Sequence, residues 1–160
     1  MSTLLGIDLG SRRIGVAIAE AGALSARPLT TIARTGAELA ALAELARRHG
    51  ATELVVGLPL EAHGAEGPMA VAARAWAAEA GKALGLPVSL RDERLSSSLA
   101  ESRIGGMPRG RSGGPPSSTQ RERYRARVDR EAAAVILQDE IEARREQRRL
   151  DRDREASARR

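Results

Sequence analysis

Two apolar runs of strand length, Leu4–Leu9 and Ile14–Ala19, open the chain and flank Gly10-Ser11-Arg12-Arg13. That junction predicts a hairpin with strands over about 3–9 and 14–20. Thr30-Thr31-Ile32 predicts a third short strand within Pro28–Ala33. Thr35 and Glu38 have capping-box spacing, and Leu39, Leu42, Leu45 and Ala46 follow as a helical stripe ending at Gly50. Glu53–Leu58 reads as a buried strand running into a loop over 61–67. Pro68 then suits the first turn of a helix carrying Met69, Ala73, Trp76, Ala80 and Leu84. Pro87–Arg91 is a fifth strand. Ser96 or Ser97 is placed to cap a short helix that Gly105-Gly106 stops. The last helix is predicted to open at Val128-Asp129, with Ala132–Leu137 and Ile141 as its core.

Hairpins come first and crossovers after, which predicts an α/β fold: a mixed five-stranded sheet, order 3-2-1-4-5, flanked by helices. One domain is expected over 1–142, with a Gly/Pro/Ser-rich mobile loop over about 106–120. Residues 143–160 are almost all charged and are expected to fray as an extension.

Composition narrows the chemistry. There is no cysteine and there are two histidines, His49 and His63, which excludes disulfides and cysteine-based zinc sites and leaves carboxylate-held hard metals open. No apolar run reaches membrane-spanning length and no signal sequence opens the chain, so a cytoplasmic protein without a membrane partner is expected. Residues 1–90 carry eight basic and eight acidic side chains, whereas 91–160 carry eighteen and thirteen, so the net charge of +5 lies entirely in the second part. A one-sided basic excess points to a polyanion, nucleic acid above all.

Asp8 is the residue the pattern does not explain. It stands between Ile7 and Leu9 in a strand that reads as buried on both faces, where a carboxylate is costly unless compensated. Two further acids stand at element boundaries, Glu93 after the fifth strand and Asp129 in the last helix. Three convergent carboxylates repel one another, and Mg²⁺ or Mn²⁺ is the natural compensation. Two such ions about 4 Å apart activate a water and stabilise the leaving oxygen of a phosphodiester. Each acid also has an ordinary reading: Asp129 as an N-cap, Glu93 as a partner of Arg91 or Arg94. Arg12, Arg13, Arg94 and the run Arg121, Arg123, Arg125, Arg127 are candidates to hold a phosphate backbone. Gly57, without a side chain, is a candidate for close approach of a phosphate or metal, or simply a turn residue before Pro59. Tyr124 and Trp76 read as packing residues.

Four stretches in register carry a resemblance. Gly6-Ile-Asp8-Leu-Gly10-Ser-Arg-Arg-Ile-Gly15-Val-Ala, Val56-Gly57-Leu58-Pro59-Leu60 with Gly64–Pro68, Asp92-Glu93-Arg94-Leu95-Ser96, and Val128-Asp129 with Ala132–Gln138 resemble the YqgF/RuvX family over about residues 3–141. Its members are called pre-16S rRNA nucleases or Holliday junction resolvases. The resemblance implies a ribonuclease-H-like fold, a metal-dependent nuclease using Mg²⁺ or Mn²⁺, and catalytic, metal-holding acids at Asp8, Glu93 and Asp129. It also implies maturation of the pre-16S rRNA 5′ end, with structured RNA and the ribosome precursor as partners of a monomer or homodimer. Resolution of branched DNA is the runner-up. A non-catalytic nucleic-acid-binding module is a third reading, and a nucleotide-binding hairpin of the actin/hexokinase type a fourth. Two departures stand out: Glu61-Ala62-His63-Gly64 replaces the family's usual Asn-Met-Asp-Gly, and Ala132 occupies the place of a further acid in the related RuvC resolvases.

Overall fold

The computed structural model describes residues 2–20, 22–93 and 95–159. Five strands form one sheet: β1 (Thr3–Leu9), β2 (Arg13–Ala19), β3 (Arg27–Ala33), β4 (Ala51–Leu58) and β5 (Val88–Asp92). Their order is β3-β2-β1-β4-β5, as the sequence predicts. β1 pairs antiparallel with β2, and β2 with β3; β1–β4 and β4–β5 are parallel. The helices are α1 (Glu38–His49), α2 (Pro68–Leu84), α3 (Ser96–Ile104) and α4 (Ser118–Ala158).

Strand alternation divides the sheet into two chemically different faces. Leu5, Ile7, Ile14, Val16, Ile18, Leu54 and Val56 point to one side and pack with Leu42 and Ala46 of α1 and Trp76, Ala77 and Ala80 of α2. Leu4, Ala17, Ala19 and Val55 point to the other, under Ala133, Ala134, Ile136, Leu137 and Ile141 of α4. The parity that puts Leu5 and Ile7 on the first face puts Gly6 and Asp8 on the second. Two glycines let α4 settle there. A Cβ on Gly6 would lie 2.7 Å from Leu137 Cβ, and one on Gly15 would lie 1.9 Å from the Asp129 carbonyl oxygen.

Two helix starts differ from expectation. The Thr35 box does not form: Gly36 takes φ +95°, outside helical space, and α1 begins at Glu38, whose carboxylate accepts the Gly36 N–H at 2.7 Å. The larger correction is α4. It opens at Ser118, ten residues before Val128, under a capping box in which the Ser117 hydroxyl accepts the Gln120 N–H and the Gln120 side chain accepts the Ser117 N–H. The run 121–127 is made mostly of Arg, Glu and Ala, strong helix formers without an apolar stripe, so periodicity alone does not reveal it. Asp129 is therefore not a cap; it sits about three turns into the helix. At the other end α4 continues to Ala158, where the sequence predicts fraying. The 105–117 loop is tied back by the Gln120 amide to Arg109 O and by the Arg121 guanidinium to Pro116 O. Tyr124 packs against α3 and donates its hydroxyl to Gly105 O at 3.0 Å.

An ion-pair cluster pins α4 across the far end of the sheet. Arg144 donates to Glu53 of β4, to Ser89 of β5 and, at 2.7 Å, to Glu140 one turn earlier. The Glu53 carboxyl is held below its ordinary range, first by the Arg144 hydrogen bond. The Arg144 side chain is 29% exposed, between the surface and buried regimes. Arg144→Ala is expected to lower stability by about 2 kcal/mol, midway between those regimes. That is a fall in Tm of roughly 4–8 °C in calorimetry.

Candidate active site

The site lies at the carboxyl end of β1, on the α4 face. Asp8 pairs across the sheet with Gly15, and that glycine is where the α4 backbone at Asp129 comes closest. Two elements are thus pressed together at a point where one carries a carboxylate and the other a carboxylate-bearing turn of helix.

Glu93 reaches the same place from β5, although β4 lies between. The gap is bridged at Gly57: a Cβ there would sit 2.3 Å from Glu93 Oε2 and 2.6 Å from Ile136 Cδ1. The missing side chain is room for the Glu93 carboxyl, which lies over β4 and within hydrogen-bonding reach of Asp8. Gly57 is consequently a buried strand residue and not a turn glycine. Its vacancy is filled from within, so the expected approach of substrate or metal to its backbone is replaced by Glu93 itself. Ser96, which the sequence suggests only as a helix cap, fastens Glu93 instead. Its N–H and its hydroxyl both donate to the Glu93 carbonyl, at 3.0 and 2.9 Å. The Ser three residues on is the only local signal for this, since a hydroxyl readily bonds nearby backbone carbonyls whatever side chain they carry.

Burial dominates the electrostatics. It pushes the Asp8 carboxyl up to about 6; the hydrogen bond with Glu93 opposes the rise and the charge of Asp129 adds to it. Burial, then the charge of Asp8 and the hydrogen bond with it, push Glu93 up to about 9. At neutral pH the two carboxyl groups hold one proton between them. The folded protein therefore binds more protons than the unfolded chain, whose carboxyls titrate near 3.8 and 4.5. The sign is opposite to that of a salt-bridged acid. Metal-free stability is greatest below about pH 4 from this pair and falls as pH rises through about 6 and about 9. Thermal melts in chelator should show Tm decreasing across that window, and Glu93→Gln should flatten the decrease; a Tm that rises with pH there would contradict the pairing.

Asp129 is arranged differently. Its Oδ2 accepts from Arg13 Nε at 2.7 Å, and Arg13 Nη1 reaches Glu122 Oε1 at 2.8 Å. Glu122 and Asp129 are seven residues apart, two turns of one helix, so a single guanidinium spans both. Arg13, expected on the substrate, is mostly buried and occupied by these two acids. Among the described residues no three metal-ligating side chains are gathered into one group. The structure brings Asp8 and Glu93 together and keeps Asp129 close enough to act on Asp8 through its charge, but turned to Arg13.

The remaining candidates scatter. Arg12 is exposed at the hairpin tip, where its carbonyl accepts the Arg34 N–H, and Arg34 Nη1 donates to Gly10 O at 3.0 Å. Arg34 also pairs with Glu38 at 3.6 Å, so it braces the turn after β1. Arg121, Arg123, Arg125 and Arg127 are all exposed, but on a helix their alternate spacing splits them between faces and makes no single basic strip. Arg94 lies outside the described residues. Beside Glu93 opens a cleft of about 890 Å³, walled by Leu60, Leu95, Leu99, Val135 and Asp139.

The donor set suits a hard divalent cation. All candidate ligands are carboxylate oxygens, and Glu93 Oε2 is buried with no hydrogen-bond partner. A cation there answers both the orphaned oxygen and the repulsion of the pair; Asp129 keeps Oδ2 on Arg13 and has Oδ1 to offer.

A mixed sheet in this order, with an acid in the first strand, one after the fifth and one on the long helix across them, is the ribonuclease-H-like fold. Thermus thermophilus RuvC, solved in complex with a Holliday junction substrate, shares the fold at TM-score 0.50 and 17% identity, covering 90% of this chain and 96% of its own. The chain belongs to the RuvX family, described as Holliday junction resolvase, whose model matches residues 2–143. A relative from Anaeromyxobacter dehalogenans (strain 2CP-C) is 49% identical over 142 residues, 88% of this chain and 96% of the relative. One from Myxococcus xanthus (strain DK1622) is 40% identical over 143 residues, 88% of each chain. Both carry the name "Putative pre-16S rRNA nuclease".

Proposed function

We propose that this protein is a divalent-metal-dependent endonuclease that hydrolyses phosphodiesters of structured RNA, in maturation of the 5′ end of pre-16S rRNA. The observation that carries the chemistry is the half-buried Asp8–Glu93 pair with its buried, unpartnered Glu93 oxygen. The names of the relatives support the substrate. Asp8 and Glu93 would hold Mg²⁺ or Mn²⁺, with Asp129 as the third ligand. The bound ion supplies a nucleophile at neutral pH and offsets charge on the phosphodiester. Arg13, held on Asp129, stands beside the reacting phosphate, and exposed Arg12 holds the backbone next to it. The fold holds no helix long and apolar enough to cross a membrane among the described residues, which accords with work on ribosome precursors in the cytoplasm.

The test offers the purified protein a pre-16S rRNA fragment spanning the mature 5′ end and, separately, a four-way DNA junction, each with Mn²⁺. Cutting of the RNA at a defined position is expected. Cutting of the junction alone would transfer the reading to branched DNA. Tight binding without cutting of either would mean a binding module.

A further inference from the structure

The end of α4 has no place in the site. Contacts of this helix with the sheet finish with Ile141, Arg144 and Arg145, the last donating to Leu24 O at 2.7 Å. From Glu146 to Arg159 every residue is exposed; Arg148 still edges a cleft with Ser2, Glu20 and Leu24, and beyond it about three turns of helix stand clear of the body. The family match stops at residue 143, just where this arm begins.

The arm's charge is ordered. Residues 143–160 hold eight arginines and four acids, a net +4, which leaves only +1 on the rest of the chain. Acids and bases pair along one flank: Arg149 with Glu146 and Asp153, while Gln147 donates to Asp151. Arg148 and Arg152 are one turn apart, continue the face of Ile141 and Arg145, and have no ion-pair partner among the described residues. A helix that merely solubilises itself would spread its cations through such pairs. Arg148 and Arg152 stand outside those pairs, with Glu155 one turn further along the same face. Arginine forks suit phosphate oxygens, and a stripe along a straight helix suits a regularly spaced row of them.

We infer that the arm formed by the last turns of α4 is a second nucleic-acid contact, in which Arg148 and Arg152 bind the phosphate backbone of a duplex about 30 Å from the cutting centre, nineteen to twenty-three residues beyond Asp129 at 1.5 Å each. This rests on the nuclease reading. It adds that the substrate is held at two places, and that a helix of the precursor extending away from the cut site is gripped by charge and not by base sequence.

The test is duplex binding by the full chain, read by fluorescence anisotropy on a 24-base-pair RNA duplex across a salt series, in EDTA so that cutting plays no part. Wild type is compared with Arg148→Gln/Arg152→Gln, changes at exposed positions that keep helix propensity. The double variant should bind roughly tenfold more weakly and lose about two from the log–log salt slope, one per phosphate contact. Arg47→Gln/Arg48→Gln, an equal loss of charge at exposed positions of α1 on the other face of the sheet, should bind as wild type does, which separates the arm from net charge alone. Equal affinity and equal slope in the double variant would overturn the inference while leaving the nuclease reading intact. Failure of wild type to bind the duplex would overturn the inference, while cutting of the pre-16S fragment with Mn²⁺ decides the nuclease reading separately. A double variant that binds normally but sediments differently from wild type would make the arm a face for a second copy, and would also overturn it.

Discussion

Asp8→Asn is expected to lose Mn²⁺-dependent cutting by roughly 100- to 1,000-fold or more, the scale of removing one preorganised electrostatic group, while folding normally. Asn is nearly isosteric with Asp, so the packing of β1 under α4 is unchanged. What changes is charge. In wild type, burial and the neighbouring acids make the ionised Asp8 costly. An amide removes that cost and can donate to the Glu93 carboxyl beside it. The metal-free variant should therefore melt no lower than wild type above neutral pH, where the acidic pair is most strained. This combination, a dead centre on an equally or more stable protein, distinguishes a functional carboxylate from a structural one, whose loss would leave a partner unsatisfied and lower the Tm. Turnover by Asp8→Asn at the wild-type rate would remove Asp8 from the mechanism.

Gly15→Ala is expected to do the reverse and damage the fold first. The added Cβ would sit 1.9 Å from the Asp129 carbonyl oxygen and 2.2 Å from its carbonyl carbon. These are backbone atoms in the interior of a helix, so no rotamer change relieves the clash, and α4 must move off β2. Overpacking usually costs about 1–3 kcal/mol, and a rigid contact belongs at the upper end. A fall in Tm of roughly 6–12 °C follows for a chain of this size. Displacing α4 also carries Asp129 away from Asp8, so activity should fall at temperatures where the variant is still folded. A Tm within 2 °C of wild type, measured by calorimetry, would mean that the helix does not depend on this close approach.

The strand order was readable because it follows from local signals: hairpin chemistry at Gly10–Arg13, two crossovers, and runs of apolar residues too short for helices. Asp8 was readable for a simpler reason, as a charge where the pattern calls for Ile or Val. The start of α4 was not, because Arg121–Arg127 is helical by propensity and capping without burying a stripe, and burial is what periodicity detects. The use of Gly57 was hidden too. Its role depends on a carboxylate thirty-six residues later folding back over it, which no local pattern encodes. Arg13 looked like a phosphate ligand because arginine beside an acid suits phosphate. In the folded chain two acids from one helix, Glu122 and Asp129, claim it first. The continuation of α4 through 145–158 is hidden for the same reason, since a charged segment without an apolar stripe gives periodicity nothing to detect.

The most direct test of the centre is anomalous diffraction from a crystal soaked in Mn²⁺. A manganese peak is expected between the carboxyl groups of Asp8 and Glu93, with Asp129 Oδ1 facing it. Absence of manganese from these two carboxylates at saturating concentration would contradict the metal-dependent reading of the site.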